Sequence, residues 1–576
     1  MPKYIFVLGG GYSGLGKGIV TASIGRILAN HGLRVRAIKI DPYFNMGAGD
    51  MNPNEHGEVF VTEDGGEVDQ DFGHYERFIG TPSSKVENIT SGKVFSSVID
   101  KGKKGRFLGR SVQVIPHVRD EHKIFIREAA GDCDVAIVEV GGTIGDDESL
   151  VLTRAIQSMI YKDKIDAVVA VLVPLVMNEE VGEPKTKIAQ VAIRSLNELG
   201  LWADFLIVRT PTDFLLDNKR REKLSLYCAV ETTNIISDPS TANVYDLPKI
   251  FEKQEFGGKL IARLGLKANG ADWKAYDSFL AKLDTTMDRI PIAYVGKYVS
   301  EGEGIHKDAY ISVEDALRRA CIECGFMPEL HRIDAVRCEK DVSILKKVAG
   351  IIVPGGYGSR GIEGKIAAIR YAREAGVPFL GLCLGLQLAV VEYARNVLGV
   401  TNAHSDEMDE SSPCPDKNAH VITVLPEQEK IRMSHGFIGT QRLGDFACAI
   451  EKNHFVKKLY ERVGRPDEYE RNKLHKYDEL RLGGLNVDDF VVFERHRHRR
   501  EVNPEFHKQL TSAGMQFPGV HHSSDGTVLV EIISLPEHPY FVASQFHPEF
   551  TSNYLRPNPL FLGFAEAVKA GQRLPV

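Results

Sequence analysis

Apolar runs of strand length alternate with amphipathic stretches along most of the chain. YIFVL, VRAIKI, VAIVEV, AVVAVLVPL and FLIVR occur in the first part, and IAYVG, GIIVPGG and VPFLGLC in the second. Strands separated by helix-length amphipathic segments cannot pair as hairpins, so the pattern predicts an α/β fold with parallel sheets. The alternation breaks once, between KLIARLGLKANGADW and DRIPIAYVGKY, where a polar helical segment ends at Pro291 and a new first strand begins. The expected organisation is two domains, 1–266 and 291–576, each with its own sheet, joined by a linker at 267–290. Segment 445–490, rich in Lys, Arg, Glu and Asp, reads as a solvated insertion on the surface of the second domain.

Composition narrows the function classes. The 576 residues are 43% hydrophobic and 26% charged, as in soluble globular proteins, and the formal net charge of -7 shows no footprint of nucleic-acid binding. The start, MPKYIFV, lacks the basic, apolar and small-residue succession of a signal peptide. The longest apolar stretch, VPFLGLCLGLQLAVV, is interrupted by Pro378 and Gln387 and is too short to span a bilayer. The expectation is a cytoplasmic protein with neither nucleic acid nor membrane as partner. Cys321 and Cys324 form a C-x-x-C inside the helical pattern EDALRRACIECG, and with no second pair at zinc-finger spacing they read as packing residues.

Behind YIFVL stands GGGYSGLGKGI, residues 9–19. Gly11, four residues, then Gly16 and Lys17 give the spacing of a phosphate-binding loop, whose backbone N–H groups and following helix N-terminus attract phosphate. Lys17 supplies a mobile positive charge. The next residue is Gly18, where a standard loop has the Ser or Thr that holds Mg²⁺. Carboxylates are the natural replacement, because Mg²⁺ takes hard oxygen ligands beside substrate phosphates. Asp71 in VDQDFGHYERF and Glu139 in DVAIVEV stand at strand ends, and ligands of open parallel sheets gather at the carboxyl ends of the strands.

The second domain carries a different chemistry. GVPFLGLCLGLQ is an apolar run, then G-x-C-x-G at 381–385, then a helical pattern: the cysteine form of a strand-to-helix nucleophile elbow. A helix N-terminus favours a thiolate, and such a nucleophile needs a base with an orienting carboxylate. SQFHPEF offers His547 and Glu549 for these roles to Cys383. The basic run ERHRHRREVN suits a strand beside this pocket better than a nucleic-acid patch.

These motifs carry a resemblance. Cys383, H-P-E and VPGGYGSRG together resemble a class I glutamine amidotransferase, while KIDPYFN, HGEVFVTEDGGEVD, GHYERF, VQVIPHV, VEVGGTIGDDES and GEPKTK resemble the amidoligase domain of the CTP synthase family. The likeness runs nearly end to end. It implies that the O4 oxygen of UTP attacks the γ-phosphate of ATP and that ammonia, made from glutamine in the other domain and led through an internal passage, displaces phosphate to give CTP. By the same resemblance, Gly14, Leu15, Gly16, Lys17, Gly18, Ile19 and Asp71 bind ATP, and Asp71 and Glu139 hold Mg²⁺. Ser13, Asp146, Asp147, Glu148, Lys185, Thr186, Lys187, Ile188, Ala189, Gln190 and Lys223 meet UTP or the inhibitor CTP, with Lys39 and Arg209 as further cations. Gly355 and Gly356 offer N–H groups to an oxyanion, and Gly356, Leu384, Gln387, Glu407 and Arg499 bind glutamine. GTP activation through a lid at 433–444 with Tyr357, and a homotetramer, are also implied.

The chain departs from the family pattern at Ser13-Gly14, where two serines are usual, in NMGAGDMNPNEHGEV, and in the shorter, less charged lid. A cofactor-biosynthetic amidoligase has no use for HGEVFVTEDG and GEPKTK. A partitioning ATPase has none for the Cys383, His547 and Glu549 set, and the chain shows no C-terminal membrane-binding helix.

Overall fold

The computed structural model describes residues 2–177, 184–211, 214–286, 288–299, 308–408, 414, 416, 419–424, 442–486, 489–523 and 525–571. The chain divides into two compact units: Met1–Asp50 with Val68–Leu280, and Met51–Glu67 with Ala281–Val576.

In the first unit the described residues form a seven-stranded sheet from β1 (Lys3–Gly9), β2 (Val35–Asp41), β3 (Asn88–Thr90), β4 (Val135–Val140), β5 (Ala167–Pro174), β6 (Phe205–Thr210) and β7 (Ile235–Pro239). The order is β7-β6-β5-β1-β4-β2-β3, and each neighbouring pair is parallel. Successive residues of a strand face opposite sides. Ile5, Phe6 and Val7 are all fully buried, so both faces of β1 are covered and the run can be continuously apolar. Three helices matter for the site: α1 (Lys17–Asn30), α2 (Asp71–Ile79) and α3 (Lys187–Glu198).

The second unit holds a nine-stranded sheet among its described residues. Its strands are β8 (Arg289–Gly296), β9 (Met327–Asp334), β10 (Gly350–Val353), β11 (Phe379–Leu382), β12 (Arg442–Ile450), β13 (Phe490–His498), β14 (Gln516–His522), β15 (Val528–Ser534) and β16 (Phe541–Ser544), ordered β9-β8-β10-β11-β16-β15-β14-β12-β13. Along β8, Ala293 and Val295 enter one core cluster and Ile292 and Tyr294 the other, one on each face. Fully burying a side chain such as Ile292 or Val295 contributes about 1.5–3 kcal/mol. Helix α4 (Leu384–Asn396) leaves directly from β11.

Three expectations are corrected. The second sheet is not wholly parallel: β9, β8, β10, β11 and β16 are, but β15, β14, β12 and β13 add on antiparallel. The helical segment expected in the linker is present as Lys274–Thr285, but it ends before Pro291: the new strand begins at Arg289, with Pro291 inside it. Segment 445–490 is only in part the expected solvated surface: Glu451, Lys452, Lys458, Glu461, Arg462, Glu468 and Arg471 are exposed, yet other charges of the segment are buried. It supplies most of β12 and a buried charge network, in which Asp445, 1% exposed, meets Lys473 at 2.5 Å, and Arg465 meets Glu470 and Glu494 at 2.6 Å each. Asp445, Arg465, Glu470 and Lys473 have the residue types of a surface but belong to a paired interior.

Neither sequence boundary anticipates the excursion Met51–Glu67, which packs within the second unit. Phe60 meets Phe550 edge-on at 4.8 Å, Glu58 accepts the Ser312 amide at 3.2 Å, and Glu63 pairs with Lys473 at 2.7 Å. Cys321 is fully buried in the core and burial pushes its thiol well up, as the packing role expects. Among the described residues no helix is long and apolar enough to cross a membrane.

Removing one partner of a buried ion pair strands the other, at about 3–5 kcal/mol. Arg465→Met is expected to lower the melting temperature of the second unit by about 10 °C in scanning calorimetry. An unchanged transition would mean the 445–490 network is solvated after all.

Candidate functional site: a phosphate loop and a cysteine elbow

In the first unit, register places Glu139 on β4 between Val7 of β1 and Lys39 of β2. The loop after β1 ends at Gly16, which caps α1 with φ 96°, a left-handed conformation that suits glycine. Lys17 follows, and its Nζ donates to the Gly142 carbonyl at 2.9 Å, just past the end of β4. Arg209, at the end of β6, is aimed at the same loop: its Nη2 lies 2.6 Å from where a Gly16 Cβ would be.

Gly18 is set by a harder constraint. A Cβ there would stand 2.0 Å from Asp71 Oδ1, inside the carboxylate itself. The space that a loop Ser or Thr would use is therefore filled by the Asp71 side chain, so the missing hydroxyl and its acidic replacement are one steric event.

Around Asp71 the charges are dense. Lys39 bonds Asp69 at 2.8 Å and also Asp71. Burial opposes charge on Lys39, but Asp41, Asp69, Asp71 and Glu139 outweigh it and hold its proton well above the usual range. Burial drives Asp41 up to about 7. Burial, reinforced by the Asp71 charge, drives Glu139 up to about 8, although Tyr75 donates to it. Buried Glu139 and half-buried Asp71, both carboxylates, form a donor set that a hard divalent cation fits. Among the described residues no three His, Cys, Asp or Glu group to hold a metal unaided, so these two would leave coordination positions for phosphate or water.

The residues expected at the pyrimidine nucleotide sit nearby in the fold. Asp146, Asp147 and Glu148 lie exposed on the turn after β4, where Asp146 accepts the Thr143 amide at 2.9 Å. Lys185, Lys187 and Ile188 are exposed around the start of α3, while Thr186 and Ala189 are buried. Thr186 accepts from Gln190 at 3.0 Å. The site of a Gly11 Cβ lies 3.0 Å from Ile188 Cγ2, which joins this helix start to the phosphate loop. Lys223 is exposed on helix Asn218–Cys228, which packs against α3. Ser13 and Gly14 are exposed, Leu15 buried and Ile19 half-buried.

In the second unit, Cys383 stands between β11 and α4 with φ 51° and ψ -103°. This conformation costs a non-glycine residue roughly 1–3 kcal/mol and is tolerated only when its surroundings impose it. They do: its N–H donates to Ser544 O at 2.7 Å, tying the elbow to β16, which in turn delivers His547 and Glu549. His547 Nδ1 donates to Glu549 Oε1 at 2.7 Å. A Cβ on Gly355 would lie 2.9 Å from His547 Cε1 and 3.5 Å from Cys383 Cβ, so the P-G-G turn, imidazole and thiol converge. Cys383 Sγ also has Arg497 O at 3.7 Å and Gln545 Nε2 at 3.8 Å. Burial works against charge on His547, but Glu549 and Cys383 outweigh it and raise the imidazole to about 10.

Of the residues expected to bind glutamine, Leu384 opens α4, and Gly356 lies beside Lys297 and Tyr298. Gln387 Nε2 donates to Arg500 O at 3.2 Å and to Gln545 Oε1 at 3.3 Å. Glu407 pairs with Arg500, a residue not among the expected contacts, and accepts the Gly358 amide. Arg499 lies 6.0 Å from the Tyr357 ring, and Arg497 stacks on the same ring at 5.0 Å. Tyr357 donates to Arg497 O at 2.7 Å. Sequence reasoning missed Arg500, Tyr75 and Lys297, which burial lowers to about 8. The Arg-Arg doublet was the one visible signal. The expected lid lies outside the described residues except for 442–444, which begin β12.

A phosphate loop faced by one carboxylate from a helix start and one from a strand end, and a thiol elbow with an imidazole, on one chain, define a glutamine-dependent amidoligase. Comparison makes this particular. Residues 3–266 match the description "CTP synthase N-terminus", and residues 305–462 and 453–567 match "Glutamine amidotransferase class-I". The CTP synthase of Thermococcus kodakarensis is 43% identical over 572 residues, covering 99% of each chain, and that of Archaeoglobus fulgidus is 43% identical over 567 residues, covering 98% of each. A solved structure, "Trypanosoma brucei CTPS - glutaminase domain with bound acivicin", is 29% identical with a TM-score of 0.38, covering 49% of this chain and 94% of that one. The chain belongs to the CTP synthase family, ligases that form CTP by aminating UTP with nitrogen from glutamine.

Two outcomes follow from the geometry. Gly18→Ala must push Asp71 aside, and ATP-dependent CTP formation is expected to fall at least about tenfold, roughly 1.4 kcal/mol, when measured with ammonium as nitrogen source; wild-type rates would mean Asp71 is not held where the structure has it. For His547, the folded pKa of about 10 lies above the ordinary 6.5. Its charged form therefore adds stability fully below pH 6.5, and that share is lost as pH rises toward 10. A ¹⁵N-histidine NMR titration should find His547 still protonated at pH 8 in the wild type and deprotonated there in Glu549→Gln. Deprotonation of the wild type near pH 6.5 would remove the ion-pair account.

Proposed function

We propose that each unit performs one half of this reaction through the residues described. In the glutaminase half, Cys383 as thiolate attacks the side-chain amide carbon of glutamine, and the C–S bond forms as the carbonyl becomes an oxyanion. The Gly355 and Gly356 N–H groups meet that oxyanion. His547, held protonated by Glu549, gives its proton to the departing nitrogen, so ammonia leaves and a glutamyl thioester remains. Water then attacks the thioester with His547 as base, regenerating the thiol. Glu407, Gln387, Arg499 and the backbone at Gly356 and Leu384 hold the amino-acid end.

In the synthetase half, Lys17, Arg209 and the loop amides bind the ATP phosphates, and Ser13, Asp146–Glu148, Lys185–Gln190 and Lys223 bind UTP or CTP. Asp71 and Glu139 would hold Mg²⁺ beside the phosphates, and Mg²⁺ bound there offsets the charge of the transferred phosphoryl group. UTP O4 takes that group, and ammonia displaces it as phosphate at C4. CTP inhibits at the shared pyrimidine residues, and GTP activates through the lid and Tyr357. The active form is a cytoplasmic homotetramer.

The observation that carries this reading is the convergence of Gly355, Cys383 and His547 around one point. Cys383→Ala, checked for folding by its melt, is expected to lose glutamine-dependent CTP synthesis while retaining synthesis from ammonium salt. The retained rate should rise from pH 7 to 9 with the fraction of free ammonia. Glutamine use by the folded variant would remove Cys383 as nucleophile, and loss of both nitrogen sources would remove the division of labour between the units.

A further inference from the structure

Close to the turn that Gly355 shares with Cys383 and His547, Glu407 and Arg500 form an ion pair, with side chains 9% and 20% exposed. Arg500 Nη1 meets Glu407 Oε2, and the other oxygen, Oε1, accepts the amide of Gly358, two residues past Gly356. Arg500 is fixed from two further sides: its carbonyl accepts from Gln387 Nε2 at 3.2 Å, and its Nη2 reaches Asp406 O at 3.5 Å. It thereby ties the turn bearing Glu407, helix α4 and the turn after β10 to one another.

Glutamine is a zwitterion, and the ammonium end needs an acidic partner when it leaves water. A carboxylate offers about four lone-pair sites. Gly358 and Arg500 take one on each oxygen, which leaves room for an ammonium on the same group. Buried Glu407 without Arg500 would be an uncompensated charge, free to turn away. We propose that Arg500 is a positioning residue for glutamine, holding the Glu407 carboxylate oriented to receive the substrate's α-ammonium. This rests on the glutaminase reading of the Cys383 pocket.

The test uses the full-length enzyme and its Arg500→Gln and Arg500→Lys variants, with glutaminase kinetics on L-glutamine and on glutaramate, which keeps the amide and lacks the α-amino group. Arg500→Gln is expected to raise the KM for glutamine about tenfold, roughly 1.4 kcal/mol, with kcat changed less than about twofold, and Arg500→Lys to recover part of the loss. The preference for glutamine over glutaramate in kcat/KM should shrink by a similar factor, because only the ammonium end has lost its partner. If both substrates weaken together with the preference intact, or if Arg500→Gln behaves as wild type, the inference is overturned. Labelling of wild-type Cys383 by a diazoketone analogue of glutamine tests the underlying reading separately: with no adduct, the glutaminase assignment falls and takes this inference with it.

Discussion

A carboxylate oxygen lies 2.0 Å from where a side chain on Gly18 would begin, and much of the first unit is organised by that exclusion. A phosphate loop can place only one group at that point. Here it is Asp71, delivered by the first residue of α2 rather than by the loop, and its charge must be balanced by neighbours. Lys39 and Lys17 do this, while Glu139 on β4, next to the central β1, adds a buried acid. The seven parallel strands matter because they bring Lys39, Glu139 and the loop to one edge in fixed register.

The second unit solves its own problem through strain instead of charge density. Cys383 keeps an unfavourable backbone because β11, β16 and α4 leave it no other path. The same β16 carries His547 and Glu549 to the thiol, so the chemistry depends on one parallel strand pair. The antiparallel extension beyond β15 ends in the run Arg495 to Arg500, which sets the Arg497 carbonyl beside the thiol and Arg500 against Glu407.

Strands buried on both faces were legible as apolar runs: β1, β2, β4, β5, β6, β8, β10 and β11. β12 and β13, RLGDFACAI and FVVFERHRH, were not, because their Asp445, Glu494 and Arg495 are buried by pairing and so look like surface residues in sequence. β3 is three residues long and carries no periodicity. The phosphate loop and the cysteine elbow were legible because backbone geometry and residue type coincide there. The partner of Glu407 was not, since Arg499 and Arg500 are adjacent and identical and only the fold decides which reaches the carboxylate.

The excursion Met51–Glu67 has a consequence for modularity. Its residues serve the second unit, while both flanks belong to the first. The chain therefore passes between units three times, at 50/51, 67/68 and 280/281, and no single cut yields both units complete. A fragment beginning at 281 would expose Phe550, Ser312 and Lys473 where Phe60, Glu58 and Glu63 now lie. Exchange of the glutaminase half with that of another protein by simple end-to-end fusion would thus leave a strip of the recipient unmatched, which binds the two halves into one evolutionary unit.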